Sequence, residues 1–235
     1  MSIIQSFLKV FRYLTSFLVP QKMEERMSAI SGKLEVYYSN GTYRLDAANV
    51  NYSFGGLHDV FQKVFGQFNI KERDIKNVLI LGFGGGSVAS ILEHEYGMDI
   101  AITGVDKDEV VINLTHKHFS TDKYKNLKLH CADAYDFVQN EPVTPFDLIV
   151  VDIFVDLLVP EKFQDEKFIS GLNKNLAPDG ILFYNFIARD AKTRDASGKL
   201  YKKMSDIIGN TEWVRMFATS TQNWLFVCDR ALPRH

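Results

Sequence analysis

The sequence has no excess of charge of either sign. Its 235 residues include 27 Lys and Arg against 29 Asp and Glu, a formal net charge of −2 at pH 7. A protein that binds nucleic acid through its phosphates needs a basic surface. The balance of charge therefore argues against nucleic acid as a general partner. Hydrophobic residues make up 46% of the chain, which is enough for a large core.

Cysteine is scarce as well. Cys131 and Cys228 are the only two, and each stands in an apolar, strand-like run without a CxxC spacing. We expect both to be buried as small hydrophobic side chains. The histidines are dispersed, and His116 and His118 are two residues apart, which points them to different sides of a helix. We predict no metal site.

Long uncharged apolar runs are also missing. The first twenty residues are rich in Phe, Leu and Ile, but Lys9 and Arg12 interrupt them before the ~18 residues of a membrane span are reached. We therefore expect a cytoplasmic protein. Apolar residues recur there at helical spacing, at Ile4, Phe7, Leu8, Phe11 and Leu14. The pattern predicts an amphipathic helix over residues 1–20 that docks on this chain or on a second copy, with contact to a membrane surface as the alternative.

Residues 33–46 carry a hairpin pattern. The pair Asn40-Gly41 suits a two-residue type I′ turn, because both central positions of that turn need a positive φ. The register that follows gives four cross-strand pairs, two apolar and two polar: Tyr38 with Tyr43, Val36 with Leu45, Tyr37 with Arg44, and Glu35 with Asp46. We predict a small β-module over residues 30–55.

Residues 56–235 read as one α/β domain. An apolar stripe of helical period from Leu57 to Phe68 predicts a helix that leads into the first strand. Strand-like and helix-like segments then alternate, which predicts a doubly wound parallel sheet. These segments cover residues 77–81, 87–96, 100–105, 108–119, 127–131, 134–140, 146–152, 161–176 and 181–187.

The end of the chain breaks this alternation. Two strand-like runs, 213–218 and 224–228, are joined by a link too short for a crossover helix, so they must pair antiparallel. The fold class is therefore α/β, with a mostly parallel, seven-stranded sheet that ends in an antiparallel hairpin. This is the pattern of class I methyltransferases rather than of dehydrogenases.

A glycine-rich turn follows the first strand of this domain. Four of the six residues from Gly82 to Ser87 lack a Cβ, so the chain can turn sharply and its N–H groups can approach a ligand closely. Ligands of open α/β sheets bind outside the carboxyl ends of the strands. We expect five residues of the turn to contact a nucleotide-like cofactor: Gly82, Phe83, Gly84, Gly85 and Gly86.

The next three strands each end in an aspartate. Asp106, followed by Lys107, lies about twenty residues beyond the turn, where a carboxylate can bind ribose hydroxyls. Asp133, followed by Ala134, suits either an adenine amine or the cap of the next helix. Asp152 is the first choice for a catalytic base, because burial at a strand end would raise its pKa. A carboxylate there suits orientation of the cofactor equally well.

The order of these motifs resembles that of spermidine synthase and its relatives with a class I methyltransferase fold. The resemblance covers residues 33 to 229 and rests on the β-module, the glycine turn, and three motifs: Val-Asp-Lys-Asp from Val105, Ala-Asp-Ala from Ala132, and Phe-Asp-Leu-Ile-Val-Val-Asp from Phe146. It implies a Rossmann-like transferase that binds S-adenosylmethionine or a related adenosyl thioether. It also implies a homodimer, since members of the family commonly dimerise through their N-terminal region.

The departures from the family fall mostly on the acceptor side of that site. Spermidine synthases have an aspartate where this chain has Gly85, and a tyrosine and a glutamine where it has Phe54 and Gly55. The second aspartate of a later motif falls on Val155, and a later tyrosine falls near Ser220. Aminopropyl transfer needs a diamine held in place by such groups. We therefore expect a methyltransferase that acts on a small molecule, with aminopropyl transfer as the alternative.

Three residues are weaker candidates for the acceptor site. The resemblance places the helix of His58 over the acceptor, Asp156 stands at the expected mouth, and Tyr184 ends a strand. Each also suits a purely structural place. His58 is near an apolar face, Asp156 suits a solvated loop, and Tyr184 suits the core. A third function class stays open, a non-catalytic protein that binds an adenosyl compound or assembles through its aromatic N-terminal helix.

Overall fold

The computed structural model describes residues 3–47, 50–53, 56–140, 144–155, 157–217 and 222–232. The α-helices are α1 (Ile3–Thr15), α2 (Gly56–Gln67), α3 (Ser87–Ser90), α4 (Glu109–His118), α5 (Ala134–Asn140), α6 (Glu166–Asn175) and α7 (Ala191–Ile207). The strands are β1 (Gln21–Ser28), β2 (Gly32–Ser39), β3 (Thr42–Ala47), β4 (Val50–Ser53), β5 (Asn77–Leu81), β6 (Ala101–Asp106), β7 (Leu127–Cys131), β8 (Phe146–Val151), β9 (Leu176–Ile187), β10 (Thr211–Phe217) and β11 (Gln222–Asp229).

The first four strands form a small antiparallel sheet in the order β1-β2-β3-β4. The predicted hairpin is confirmed in all four cross-strand pairs. Asn40 and Gly41 have φ values of 51° and 74°, as the turn requires. The apolar face of the hairpin packs on α4 and forms one cluster: Leu34, Val36 and Leu45 with Val111, Leu114 and Phe119. The small sheet is thereby held against the larger one, beside the end of β6.

The larger sheet has seven strands in the order β10-β11-β9-β8-β5-β6-β7. The five strands from β9 to β7 run parallel, and β11 pairs antiparallel with both β9 and β10. The prediction of a parallel sheet with an antiparallel C-terminal hairpin is therefore correct. Strands β5 and β8 are buried on both faces: Leu79 and Leu81 belong to one core, and Val78 and Ile80 to the other.

Several boundaries differ from those predicted. Strand β1 and helix α7 lack a regular apolar pattern, and neither was predicted. Two of the four buried side chains of α7 are polar, Thr193 and Ser197. The helix predicted over 161–176 is divided, because Asp165 caps α6 by accepting a hydrogen bond from the N–H of Phe168.

The two cysteines have different environments. Cys228 is buried, as predicted. Cys131 is exposed, so the prediction of burial is wrong for this residue. It is the last residue of β7, the edge strand of the large sheet, which leaves its side chain without a neighbouring strand on one side. Its Sγ lies 3.9 Å from the carbonyl oxygen of Lys107.

Helix α1 forms where an amphipathic helix was predicted. Just past its end, Ser16 attaches it to the β2–β3 turn: the Ser16 carbonyl accepts from the N–H of Asn40, and the Ser16 Oγ accepts from the N–H of Gly41. The apolar stripe lies on the other side, where Phe7 and Phe11 are 67% and 58% exposed. No helix in the described ranges has the length and apolarity needed to cross a membrane.

Candidate functional site

A cavity opens at the carboxyl ends of β5, β6, β7 and β8. Its volume is about 780 Å³ when the open mouth is counted. Its lining comes from the strand ends, from α2 and from the β1–β2 turn: Ile30, Ser31, Leu57, Gly82, Gly84, Val105, Asp106, Lys107, Asp108, Ala132, Ala134, Asp152, Ile153, Phe154, Val155 and Phe163.

The glycine turn forms the floor of the cavity. Gly82, Gly84 and Gly86 all have positive φ values, which glycine adopts without strain. Gly82 and Gly84 line the cavity. The ring of Phe83 turns away into the core, where it lies within 3.2 Å of where a Cβ on Gly86 would stand. Of the five predicted residues, Gly85 and Gly86 also lie outside the lining.

Asp106 reaches the cavity at the end of β6. Its Oδ2 accepts from the N–H of Gly84 at 3.1 Å, and its Oδ1 accepts from the N–H of Asp108 at 3.0 Å. Burial raises the pKa of this carboxyl, and the two hydrogen bonds oppose that shift. Asp106 therefore ties the glycine turn to the end of β6. Lys107 lines the cavity beside it, as expected.

Asp133 has a different environment. Its Oδ1 accepts from the N–H of Tyr135 at 2.9 Å, which caps α5, and its Oδ2 accepts from the Lys162 Nζ at 2.5 Å. Burial alone would raise its pKa, but these bonds hold the pKa below the usual value. Its neighbours Ala132 and Ala134 line the cavity, whereas Asp133 is not part of the lining. Of the two predicted alternatives, the structure shows the helix cap.

Asp152 lines the cavity immediately after β8. Its Oδ1 accepts from the Asn185 Nδ2 at 2.9 Å. Burial raises the pKa of Asp152 to about 7, and the hydrogen bond from Asn185 opposes the shift. The expectation that burial at this strand end raises its pKa is therefore met. A carboxyl with this pKa is near half-ionised at neutral pH, as a general base or acid needs to be.

The β1–β2 turn adds a wall that the sequence analysis did not predict. Ile30 and Ser31 line the cavity. The hydroxyls of Ser28 and Ser31 both donate to the Oδ2 of Asp108, while the Oδ1 of Asp108 caps α4 through the N–H of Val110. Asp108 thus fastens the small sheet to the site. The only local signal was the capping position of Asp108.

The three weaker candidates are not brought together. The His58 Nε2 lies 2.7 Å from the Glu95 Oε1, and it is the neighbouring Leu57 that lines the cavity. Tyr184 is fully buried, and its hydroxyl donates to the carbonyl of Phe163, so it is a core residue. Asp156 lies outside the described residues. Within the described part of the chain, no cluster of His, Cys, Asp and Glu could hold a metal ion.

Comparison with protein families decides the relationship. The family model for the spermine/spermidine synthase domain matches residues 63–210, which include β5 to α7 and most of the cavity lining. The chain belongs to this family. The resemblance deduced from the glycine turn and the strand-end aspartates is therefore confirmed.

The family relatives carry two kinds of name. An "eEF1A lysine and N-terminal methyltransferase homolog" of Drosophila melanogaster is 29% identical over 142 residues, which are 56% of this chain and 21% of that protein. A "Polyamine aminopropyltransferase" of Vibrio vulnificus is 28% identical over 134 residues, 55% of this chain and 43% of that protein. The chain spans less than half the length of these relatives. Both names describe transferases.

Solved structures share the fold. A probable spermidine synthase from Corynebacterium glutamicum matches with a TM-score of 0.72 and 16% identity, over 90% of this chain and 80% of that one. Human methyltransferase-like protein 13 in complex with SAH matches with a TM-score of 0.55 and 18% identity, over 74% of this chain and 78% of that one. At these identities the likeness shows the fold, which is the predicted Rossmann-like fold of class I methyltransferases.

Proposed function

We propose that this protein is an S-adenosylmethionine-dependent methyltransferase of the spermine/spermidine synthase domain family. The observation that carries the proposal is the presence, in one cavity, of Asp106 at the glycine turn and of Asp152, whose pKa is raised. S-adenosylmethionine would supply an electrophilic methyl group on a sulfonium. The residues of the chain would bind it, orient it against the acceptor and handle the proton of the acceptor.

The part of the cavity at the ends of β5, β6 and β7 fits a nucleoside. Each oxygen of Asp106 has one backbone N–H partner, and a carboxylate oxygen has two acceptor sites, so each can also accept from a ribose hydroxyl. The side chains of Ala132, Ala134 and Phe163 provide apolar walls for a flat base. Asp133 is not needed for this fit.

The part beside Asp152 fits an acceptor with an apolar body. The segment that follows Asp152 contributes three apolar side chains to the cavity lining, Ile153, Phe154 and Val155. Val155, which lines the cavity, stands at the position of the second aspartate in the spermidine synthase motif, so the carboxylate that would hold the distal ammonium of a diamine is absent from that position. This absence favours methyl transfer over aminopropyl transfer, because the latter needs a diamine anchored at both ends.

An amine is the acceptor that this site suits best. The Asp152 carboxylate can accept the proton that an ammonium must lose before nitrogen attacks. Both kinds of relative also point to nitrogen, since their names mention lysine, N-terminal and polyamine substrates. We propose a small amine; the sequence predicted a small molecule without its chemical class, and an amino group on a protein has the same chemistry.

Calorimetry with two cofactors tests the proposal. We expect S-adenosylmethionine to bind at least about tenfold more tightly than its decarboxylated form, a difference of about 1.4 kcal/mol. S-adenosylmethionine keeps a carboxylate that its decarboxylated form lacks. The glycine turn has no acidic residue that would repel this carboxylate. A preference for the decarboxylated form would instead establish aminopropyl transfer, and binding of neither would refute both enzymatic readings.

We also propose that the protein forms a homodimer through α1. The face of α1 that points away from the chain is apolar, and the exposed apolar surface continues through Phe17 and Leu18. Contiguous exposed patches of this kind mark interfaces.

A further inference from the structure

Two buried asparagines connect Asp152 to β11, which lies two strands away from β8 in the sheet. Asn185 is on β9 and Asn223 is on β11, and they are 0% and 1% exposed. The Asn223 Nδ2 donates to the Asn185 Oδ1 at 2.9 Å, and the Asn185 Nδ2 donates to the Asp152 Oδ1 at 2.9 Å. The result is a single hydrogen-bonded chain that runs across two strand pairs and ends at the cavity.

Asn223 sets the orientation of the Asn185 amide in this series of hydrogen bonds. A side-chain amide can present either its oxygen or its NH₂ group to a neighbour. Because Asn223 donates to the oxygen of Asn185, the NH₂ group of Asn185 must face Asp152. A donor at that position stabilises the ionised carboxylate, and an oxygen there would stabilise the protonated form.

The other carboxylate oxygen of Asp152 is left for a ligand. Asp152 lines the cavity, and its Oδ2 accepts no hydrogen bond from the residues that the structure describes. The bond from Asn185 to Oδ1 therefore restrains the carboxylate and leaves Oδ2 available to a ligand in the cavity.

We propose that Asn185 and Asn223 are positioning residues: Asn223 sets the orientation of the Asn185 amide, and Asn185 holds Asp152 as a carboxylate with Oδ2 toward the acceptor. The inference rests on the proposed function only for the identity of the acceptor. Its physical content concerns the protonation of Asp152 and can be measured without a substrate.

The test is a carbon NMR titration of the aspartate carboxyl groups in the ligand-free full chain. The Asp152 signal is assigned by its loss in Asp152→Asn. In Asn185→Leu the donor is gone, so the Asp152 pKa rises by about one unit. In Asn223→Leu, Asn185 is intact but free to turn its oxygen toward Asp152, so the Asp152 pKa rises as well.

The matched control is Asn175→Leu. Asn175 is another buried asparagine, whose Nδ2 donates to the carbonyls of Val138 and Gly171, and it has no bond to Asp152. This variant loses buried amide hydrogen bonds but should leave the Asp152 titration unchanged. If Asn223→Leu does not fold, Asn223→Ala removes the same donor without adding a charge, so it raises the Asp152 pKa too.

The inference is overturned if the Asp152 pKa is the same in the Asn223 variant and in wild type. It is also overturned if Asn175→Leu shifts it equally, since the effect would then be a general loss of packing. Calorimetry with S-adenosylmethionine on the same samples separates the two hypotheses: absence of binding refutes the proposed cofactor while the titration still decides the role of Asn223.

Discussion

Gly82 lies directly against the carbonyl of Asp152: a Cβ on residue 82 would stand 2.2 Å from the Asp152 oxygen. The two residues follow β5 and β8, which pair in parallel, and the N–H of Asp152 donates to the carbonyl of Leu81 at 2.8 Å. The glycine therefore allows two strand ends to approach at the floor of the cavity. It also places the proposed base beside the turn that would hold the cofactor.

Replacing Gly82 by alanine should prevent normal folding or destabilise the protein by several kcal/mol. The added Cβ would overlap backbone, which cannot move aside as a flexible side chain can, and the φ of 86° adds strain. Gly97→Ala is the control, because Gly97 has a φ of 71° with open space around it, and it should cost only about 1 kcal/mol. Urea denaturation compares them, and equal losses would contradict the structure at the floor of the cavity.

The ionisation of Asp152 should make stability depend on pH. Because its folded pKa of about 7 is above the ordinary 3.8, the folded state binds this proton more tightly than the unfolded state. The contribution of this group to the free energy of unfolding is therefore full below pH 4, falls as pH rises through 7, and is lost above. The loss is of the order of 4 kcal/mol.

Asp152→Asn removes this term, so the variant should be more stable than wild type at pH 8 and close to it at pH 4, where the carboxyl is largely protonated in the folded protein. Chemical denaturation at the two pH values measures the difference. Asp195→Asn, on the exposed surface of α7, should follow the wild-type profile. An Asp152→Asn profile parallel to wild type would show that the pKa of this carboxyl is the same in the folded and the unfolded protein.

Asp106 and Asp133 should differ in their effect on cofactor binding. Asp106→Asn puts an NH₂ group opposite one of two backbone N–H donors, at Gly84 or Asp108. We expect it to weaken S-adenosylhomocysteine binding by at least about tenfold.

Asp133→Asn serves as the comparison, because the Asp133 oxygens bind Lys162 and the start of α5 outside the cavity lining. It should change the affinity by less than about twofold. Calorimetry at one pH measures both variants, with thermal melting to confirm that they are folded. Equal losses would support the adenine-binding role of Asp133 after all.

The outer face of α1 should control oligomeric state. Charges at Phe7 and Phe11 (Phe7→Glu with Phe11→Glu) cannot be buried in an apolar interface, so this variant should be monomeric where wild type is dimeric. Light scattering after gel filtration measures the mass. Gln67→Glu with Ser205→Glu adds the same charge at exposed positions of other helices and should leave the dimer intact. A monomeric wild-type protein would refute the dimer.

The sequence by itself determined the class of the large sheet, mostly parallel with an antiparallel C-terminal hairpin, and one register. Asn40-Gly41 provides two successive positive φ values, so the turn fixes which residues of β2 and β3 face each other. The alternation of apolar strand-like and helix-like runs predicted the parallel strands. The short link between the last two strand-like runs predicted their antiparallel pairing. These features depend on residues close together in the chain, and their periodicity and turn chemistry can be read directly.

Elements without a local pattern depended on their neighbours. Strand β1 is mostly charged and polar, yet it pairs with β2 along its length. Helix α7 buries the hydroxyls of Thr193 and Ser197 because its capping and backbone bonds satisfy them: Thr193 is bonded to Asp190, and Ser197 to the carbonyl of Arg194. Neither arrangement follows from the spacing of apolar residues.

The tertiary structure alone decided the contacts and the electrostatic environment of the predicted site residues. Asp106 and Asp133 both stand between a strand and a helix. Lys162, 29 positions further along the chain than Asp133, pairs with Asp133. Asp106 instead lines the cavity. His58 is likewise held by Glu95, and the state of Asp152 is set by burial and by Asn185. The physical reason is that ion pairing, desolvation and pKa depend on which groups are close in space, and these groups are distant in sequence.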